Sequence, residues 1–397
     1  MEMLELVEKI RSEEASTQKL FGSDGRSARP AGRSAQYLGL LAEAAALIAD
    51  VQRGRRPAYL LQEAMTTSDF PYLFGDILDR QMLAAYQEFP SDILRICRRS
   101  VVPDFRQIKR FPALTGVDGQ LAKVAEKAEY PVDDLSETSP YTYYVYKYGR
   151  KVPISWETLI NDDLGNFTDI PQRLARAARR SEAKFVTGMY CTTTGPDSTF
   201  FSDANLNRMT VAAGADSANP VLSTAALGLA MKLLSKQTVT IDGASEPVYV
   251  DMVYLVVPPA LEVTARNILN ATQIIMAETG GTSNQTLWAD NWMRNRVQLI
   301  VDPYIPIVAS SSNGSTSWFL FAAPSVGTPA LEIGFLRGHE APEIFIKSPN
   351  AARVGGGMAN PLDGDFDTDA VEYKVRHVFG GATMLPKMAV ASNGSGA

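Results

Sequence analysis

The chain has 397 residues, with 38 Lys+Arg against 44 Asp+Glu for a formal charge of −6, 45% apolar residues and 21% charged. That balance excludes whole-chain disorder. With two cysteines, Cys97 and Cys191, and two isolated histidines, His339 and His377, it also excludes a disulfide framework and a Cys-rich zinc site, and weighs against His-based hydrolysis or acyl transfer.

In chain order, residues 1–20 predict a short amphipathic helix, with Leu4, Val7 and Ile10 at near-helical spacing and no secretory signal pattern. FGSDGRSARPAGRS at 21–34 reads as a mobile linker, and 35–50 as a second helix ended by GRRP. Together, residues 1–60 predict a two-helix arm with too little apolar surface for its own core. Residues 61–100 read as partly helical, with Leu73, Ile77, Leu78, Met82 and Tyr86 on one face. Residues 103–114 predict a strand, and the polar, turn-rich stretch 117–140 separates it from a second strand at 141–153. Tyr141, Tyr143 and Val145 occupy one register of that second strand, and Tyr144, Tyr146 and Tyr148 the other. Both faces of the ribbon therefore look able to bury surface. A two-stranded ribbon is marginal alone in water, so it needs a partner in its own chain or a neighbouring one.

The strongest helix is predicted at 168–191, with Thr168 as N-cap, Asp169 in the first turn and Pro171 tolerated there. Ile170, Leu174, Ala178, Phe185 and Met189 form its apolar stripe, and Arg173, Arg176, Arg180 and Lys184 an adjoining basic one. That basic stripe is either a surface facing nucleic acid, bound by charge without sequence readout, or a solvated face with intermolecular ion pairs. GPDS at 195–198 is a turn. A helix is expected at 221–236, capped by Ser223 or Thr224, then a buried strand at 249–257 and a helix at 258–269 opened by Pro-Pro. A strand–turn–strand element is expected over 305–323, turning at Asn313–Gly314. Residues 222–340 read as an α+β domain with a central sheet. The end is strand-rich, at 343–347, 371–378 and 388–392, before a frayed NGSGA tail.

Motifs for the commonest enzyme chemistries do not occur: there is no P-loop, GxSxG, HExxH or CxxC. The Gly355–Gly357 run lacks a strand–glycine–helix frame and reads as loop. Asp363, Asp365, Asp367 and Asp369 space like a calcium loop, but Lys374 stands where the bidentate Glu belongs and the glycine is misplaced, so a solvated turn is expected. No catalytic residue, metal or cofactor is expected. No apolar run approaches the roughly 20 residues of a membrane span, so a soluble cytoplasmic protein is the default.

The order of parts, with EAMTTSDFPYLFGDILDRQM at 63–82, FLRGHEAPEI at 335–344 and FDTDAVEYKVRHVFGGA at 366–382, resembles the major capsid (major head) proteins of tailed double-stranded DNA phages. Their fold is the α+β Hong Kong 97 type, and the resemblance covers roughly residues 61–392. It implies a helical extension at 1–60, an N-arm with the first peripheral-domain strand at 61–113 and an extended loop at 114–152. It further implies a peripheral domain at 153–221 around a spine helix at 168–191, an axial domain at 222–340, returning peripheral strands at 341–381, and an axial-domain end with the tail at 382–397.

The function implied is that of a self-assembling subunit. It would form the hexamers and pentamers of an icosahedral head around double-stranded DNA, with portal and scaffolding or decoration proteins as partners, assembled in a bacterial cytoplasm. Intersubunit residues are then expected at Tyr141, Tyr143, Tyr144, Tyr146, Tyr148, Lys123 and Lys127, and the basic stripe meets DNA or a neighbour. Some members cross-link a Lys–Asn pair; Lys123, Lys127 and Asn360 lie in the corresponding regions, but nothing in the sequence marks them as reactive. An encapsulin-like compartment shell shares the fold and is the nearest alternative, although such shells are generally shorter and lack the two-helix extension. A carboxylate enzyme using Asp363 and Asp365 is a remote one, with no nucleophile or base behind it.

Overall fold

The computed structural model describes residues 43–47, 50, 55–56, 82–87, 91–111, 114–115, positions 121, 123–124, 126–127 and 129–130, then 136–137, 140–155, 164–211, 218–241, 244–248, 250–277, 286–310, 312–324, 328–347 and 366–396. The linker at 21–34, most of the two-helix arm, Asn360, Asp363 and Asp365 lie outside them. The chain forms two compact units from discontinuous segments. One combines Lys147–Arg180 and His339–Val378 with the chain up to Pro90; the other takes Ser91–Tyr146, Ser181–Gly338 and Phe379–Ala397.

The second unit is built on strands buried at every position. In Trp318–Ala322 (WFLFA) and Leu331–Leu336 (LEIGFL) every residue is buried. Aromatic and branched residues in a run this short favour a strand covered on both faces. Trp318–Ala322 pairs antiparallel with Val253–Val257 and with Ala389–Ser392, and Val253–Val257 pairs parallel with Val297–Val301. The parallel pair is joined through the helix Glu262–Asn270, which buries Ala265 and Leu269. Helix Thr224–Ser235 buries Leu227, Ala230, Met231 and Leu234 at helical spacing. Its cap is the expected Ser223, whose hydroxyl accepts the Ala226 N–H at 3.1 Å. Leu331–Leu336 pairs parallel with Cys97–Val102, in register from Cys97↔Leu331 to Val102↔Leu336, and antiparallel with the end of Ala370–Thr383.

In the other unit, Glu343–Ile346 pairs antiparallel with the 373–376 part of Ala370–Thr383. The helical segment 82–87 packs Met82, Ala85 and Tyr86 against Leu174, Ala175, Ala178 and Val375. Arg179 donates to the Tyr86 carbonyl at 2.9 Å, and its guanidinium lies 3.6 Å over the Tyr86 ring, a cation–π contact.

The helix Leu164–Tyr190 starts about one turn before the expected Thr168. Its buried face also departs from the predicted stripe. In the second unit Ala183, Val186 and Tyr190 are fully covered, whereas Phe185 and Met189 are half-buried. Tyr190 packs edge-on against Phe319 and Phe321, with centroids 4.8 and 5.3 Å away. Beside it the Asp302 carboxyl, 1% exposed, accepts the Thr187 and Tyr190 hydroxyls at 2.6 Å each and the Tyr304 N–H at 2.9 Å. Burial, followed by Asp302, holds the Tyr190 phenol well above its ordinary range. The free thiols Cys97 and Cys191 are both buried; burial, with Asp302 adding to it, pushes Cys191 up to about 12.

The predicted 305–323 hairpin is corrected. Ile305–Val308 is a helical turn, Ser312–Ser315 a 3-10 turn, and Trp318–Ala322 the one strand of the three. Asp302 captures the Tyr304 amide, and Pro306 has no N–H to give a β ladder, so the chain turns there. The strand expected from 249 begins at Val253. Cys97–Val102 is a strand inside a stretch read as partly helical. The tail is not frayed. Thr316 donates its hydroxyl to the Asn393 carbonyl at 2.7 Å, and Gly396 donates its N–H to Asn219 at 2.9 Å. Gly394 takes φ 66°, where a Cβ would lie 2.1 Å from the Thr316 carbonyl oxygen.

Replacing Asp302 by Ala strands the Tyr190 hydroxyl and the Tyr304 amide, each costing about 1–3 kcal/mol when unmet, while Thr187 keeps the Ala183 carbonyl at 3.0 Å. Urea unfolding of Asp302→Ala should show a loss of about 2 kcal/mol or more, partly restored in Asp302→Asn. An unchanged midpoint would remove Asp302 from the framework.

Candidate assembly surface

The two strands flanking the polar stretch do pair. Ile108–Arg110 runs antiparallel to Tyr141–Tyr143, with Ile108 opposite Tyr143 and Arg110 opposite Tyr141, and Leu114–Thr115 pairs with Ser136–Glu137 further along. The pleat sorts the tyrosines by register. Tyr143 and Val145 are buried within the chain, and Tyr141 is half-buried. Tyr144, Tyr146 and Tyr148 are exposed, Tyr146 by 56%, with the Tyr144 and Tyr146 rings 6.4 Å apart. One register has thus found its cover inside the subunit, and the other faces solvent.

The covered register is seated on a buried acid. Glu332, 1% exposed, accepts on Oε1 from the Tyr143 hydroxyl at 2.7 Å, the Ser100 hydroxyl at 2.8 Å and Arg110 Nε at 2.9 Å. Ser100 Oγ and Tyr143 OH are a further 2.9 Å apart. The Tyr143 ring lies against Gly334, where a Cβ would come within 2.8 Å of the hydroxyl oxygen, and the Tyr144 carbonyl lies against Gly380, where a Cβ would come within 2.0 Å. Burial, with the Glu332 contact adding to it, pushes the Tyr143 phenol up to about 12. Burial works against the Arg110 cation, but the hydrogen bond and charge of Glu332 outweigh it and raise its pKa. Neither Glu332, Ser100 nor Arg110 stands out from the sequence by type. The available signal was a lone acid in the apolar run Leu331–Leu336.

The other expected residues lie on the surface. Arg173, Arg176, Arg180 and Lys184 are all exposed along the helix, and so are Lys123 and Lys127, the latter at φ 60°. The histidines have structural neighbours. His377 is buried edge-on to Tyr86 at 6.0 Å, and His339 contacts the Glu343 carboxylate, which Arg376 also meets at 2.6 Å. Burial raises Glu343, but these two partners outweigh it and hold its carboxyl below the usual range. Among the described residues, no three His, Cys, Asp or Glu are grouped to hold a metal ion, and no helix is long and apolar enough to cross a membrane.

The family profile described as phage capsid protein matches residues 139–392, well over half of the chain. The chain belongs to this family: it is a capsid shell subunit with an α+β fold of the Hong Kong 97 type. Among solved structures, it is similar to that of Microbacterium phage Oxtober96, at 11% identity and TM-score 0.42 over 77% of this chain and 91% of that one. It is similar to the holo-SrpI encapsulin complex from Synechococcus elongatus, at 11% identity and TM-score 0.42 over 78% and 94%. It is also similar to the virus-like particle from Pyrococcus furiosus, at 12% identity and TM-score 0.40 over 80% and 99%. No curated protein sequence matches the chain.

The raised Tyr143 pKa fixes the sign of a pH effect. The folded chain favours the neutral phenol, so its contribution is whole below about pH 10 and is lost as pH rises toward 12. Denaturant titrations of Tyr143→Phe should show a shallower alkaline decline over that window than the parent. Parallel curves would contradict the assignment.

Proposed function

We propose that this subunit closes its shell around double-stranded DNA by laying its extended ribbon on a neighbouring subunit. The observation that carries this reading is the division of tyrosines along 141–148, over the successive strands Tyr141–Tyr143 and Val145–Ser155: Tyr143 is covered within the chain, while Tyr144, Tyr146 and Tyr148 face solvent. Aromatic side chains are large apolar payloads with a polar tip, which suits them to interfaces. The stretch 117–140 between the paired strands is polar and contributes little to a core, as expected of a segment that acts outside its own subunit. In this reading 1–60 is a helical extension, 61–113 the N-arm, 114–152 the extended loop, 153–221 and 341–381 the peripheral domain, and 222–340 with 382–397 the axial domain. Lys123 and Lys127 lie in the loop and meet the neighbour. The partners are further copies in hexamers and pentamers, a portal, scaffolding or decoration proteins, and DNA held without sequence readout. Assembly takes place in the host bacterial cytoplasm, and the role is structural rather than enzymatic.

Repeated heterologous contacts of this kind close rings and shells. Negative-stain microscopy of the purified protein tests the reading: closed hollow particles that package DNA support it. Particles filled with protein cargo would favour a compartment shell instead, and a persistent monomer with small-molecule turnover an enzyme.

Deleting 117–140 and closing the ribbon with a tight turn should leave a folded subunit that no longer assembles. Regular shells from that deletion would make the segment decorative. The exposed Arg173, Arg176, Arg180 and Lys184 stripe supports contact with packaged DNA or with a neighbour. Exposed ion pairs contribute about 0–1 kcal/mol each, so Arg173→Gln, Arg176→Gln and Arg180→Gln together should still give a folded subunit. If the stripe meets DNA, filled particles should become less stable and less salt-sensitive while empty shells still form. If it meets a neighbour, shells should fail at moderate salt. Normal assembly with normal DNA retention would leave a solvated face and nothing more.

A further inference from the structure

The Glu332 cluster has no part in the reading above, which needs the ribbon's tip and outer face but not a buried acid at its root. A carboxyl withdrawn from water is costly unless hydrogen-bonded donors surround it. Here the three side-chain donors come from three separate strands. Ser100 belongs to Cys97–Val102, Arg110 to Ile108–Arg110 and Tyr143 to Tyr141–Tyr143, while Glu332 itself lies on Leu331–Leu336. One donor thus comes from each of the two ribbon strands, and both meet the same oxygen, Oε1. A two-stranded ribbon three residues wide has little stability of its own and takes its direction from whatever it rests on. It rests here without a cushion of side chains. Gly334 lets the Tyr143 ring down onto the sheet, and Gly380 lets the Tyr144 backbone down beside it. Backbone-level approach at two paired glycines and a shared acceptor beside them leave the ribbon's root one way to lie.

We propose that Glu332, two residues along its strand from the paired Gly334 and Gly380, is a latch that fixes the angle at which the 108–110 and 141–143 strands leave the subunit, so that every copy offers its extended segment to a neighbour in the same orientation. Ser100 tethers the acid to the adjoining parallel strand. Arg110, with 41% of its side chain exposed, closes the outer side of the cluster. The latch stabilises an orientation more than a fold. Loosening it should free the ribbon's root while leaving the Val253–Val257 sheet as protected as before. The uniformity of assembled particles should then fall, because a subunit that presents its loop at variable angles admits more than one curvature.

The test compares Arg110→Gln, Tyr143→Phe and Glu332→Gln with the parent, using hydrogen exchange of unassembled subunits and microscopy of assembled particles. Arg110→Gln and Tyr143→Phe each remove or weaken a hydrogen bond to Glu332, and Glu332→Gln weakens three, so exchange of the 108–110 and 141–143 amides should quicken by about tenfold or more. Amides of Val253–Val257 should keep the parental rate, and particles should spread in diameter or include open forms. Unchanged exchange at the ribbon's root in both Arg110→Gln and Tyr143→Phe would overturn the latch. So would faster exchange that reaches Val253–Val257 equally, since that is general destabilisation, and so would quickened exchange with particles as uniform as the parent's. If Glu332→Gln does not fold, the two ribbon variants decide the matter, because Arg110 is partly solvated and Tyr143→Phe keeps the ring on Gly334. The particle readout rests on the shell reading, whereas the exchange readout does not. A parent that forms no particles would therefore refute the former while the latter still judges the latch.

Discussion

A strand whose residues are all buried must have structure on both of its faces and both of its edges, and two of the strands buried throughout among the described residues lie close together in sequence. Trp318–Ala322 and Leu331–Leu336 are buried at every position, yet fewer than ten residues separate them. Their edges are filled by distant chain. Cys97–Val102 and the end of Ala370–Thr383 flank one, and Val253–Val257 and Ala389–Ser392 flank the other. The discontinuous make-up of the unit follows from that demand, because segments from near both ends of the chain are the ones that complete it. Even the last residues are drawn in, with Asn393 and Gly396 bonded to Thr316 and Asn219. Loop-closure entropy must be met for each of these long-range pairings, and the fully apolar strands are what make the closure worthwhile.

Two buried carboxyls tie distant segments of this framework together. Asp302 stands where the strand Val297–Val301 ends, and it gathers hydroxyls from the end of the long helix together with the amide that starts the next turn. Glu332, inside the strand Leu331–Leu336, gathers three side-chain donors at the root of the ribbon. In both cases a single carboxyl gathers donors from separate segments of the chain. Buried networks of this kind, once fully satisfied, specify one arrangement among several of similar packing energy. In a shell subunit that selection matters more than raw stability, since the geometry of each copy is multiplied around the particle.

How far the sequence could be read follows from which interactions are local. The helix Thr224–Ser235 and its Ser223 cap were legible because cap, period and apolar face all lie within a dozen residues. Cys97–Val102 was not, since CRRSVV carries Arg98 and Arg99 and becomes a strand by pairing with residues more than two hundred positions away. Ile305–Val308 looked like a strand from its apolar content, while the side chain that decides its turn, Asp302, lies just outside the run. The tyrosine ribbon was visible as a ribbon, but alternation alone did not say which register the subunit would cover. That depended on Gly334, Gly380 and Glu332, each unremarkable in its own stretch of sequence. The exposed positions of Arg173, Arg176, Arg180 and Lys184 were legible from helical spacing, because a stripe of cations on an amphipathic helix has little choice of side.

The placing of the cysteines has a practical chemical consequence. The chain has two, and both thiols lie inside the packed core, with Cys191 held near 12 and Cys97 pushed up as well. Nucleophilic sulfur is the thiolate, so the folded subunit is close to inert toward maleimides and disulfide exchange at neutral pH. A cysteine introduced at an exposed position outside the proposed contact surfaces, such as that of Asp203 or Val263, would therefore be the single reactive handle on the molecule. Every copy in an assembly would carry a dye, a spin label or a cross-linker at one known point, with no background from the native thiols until the core itself opens.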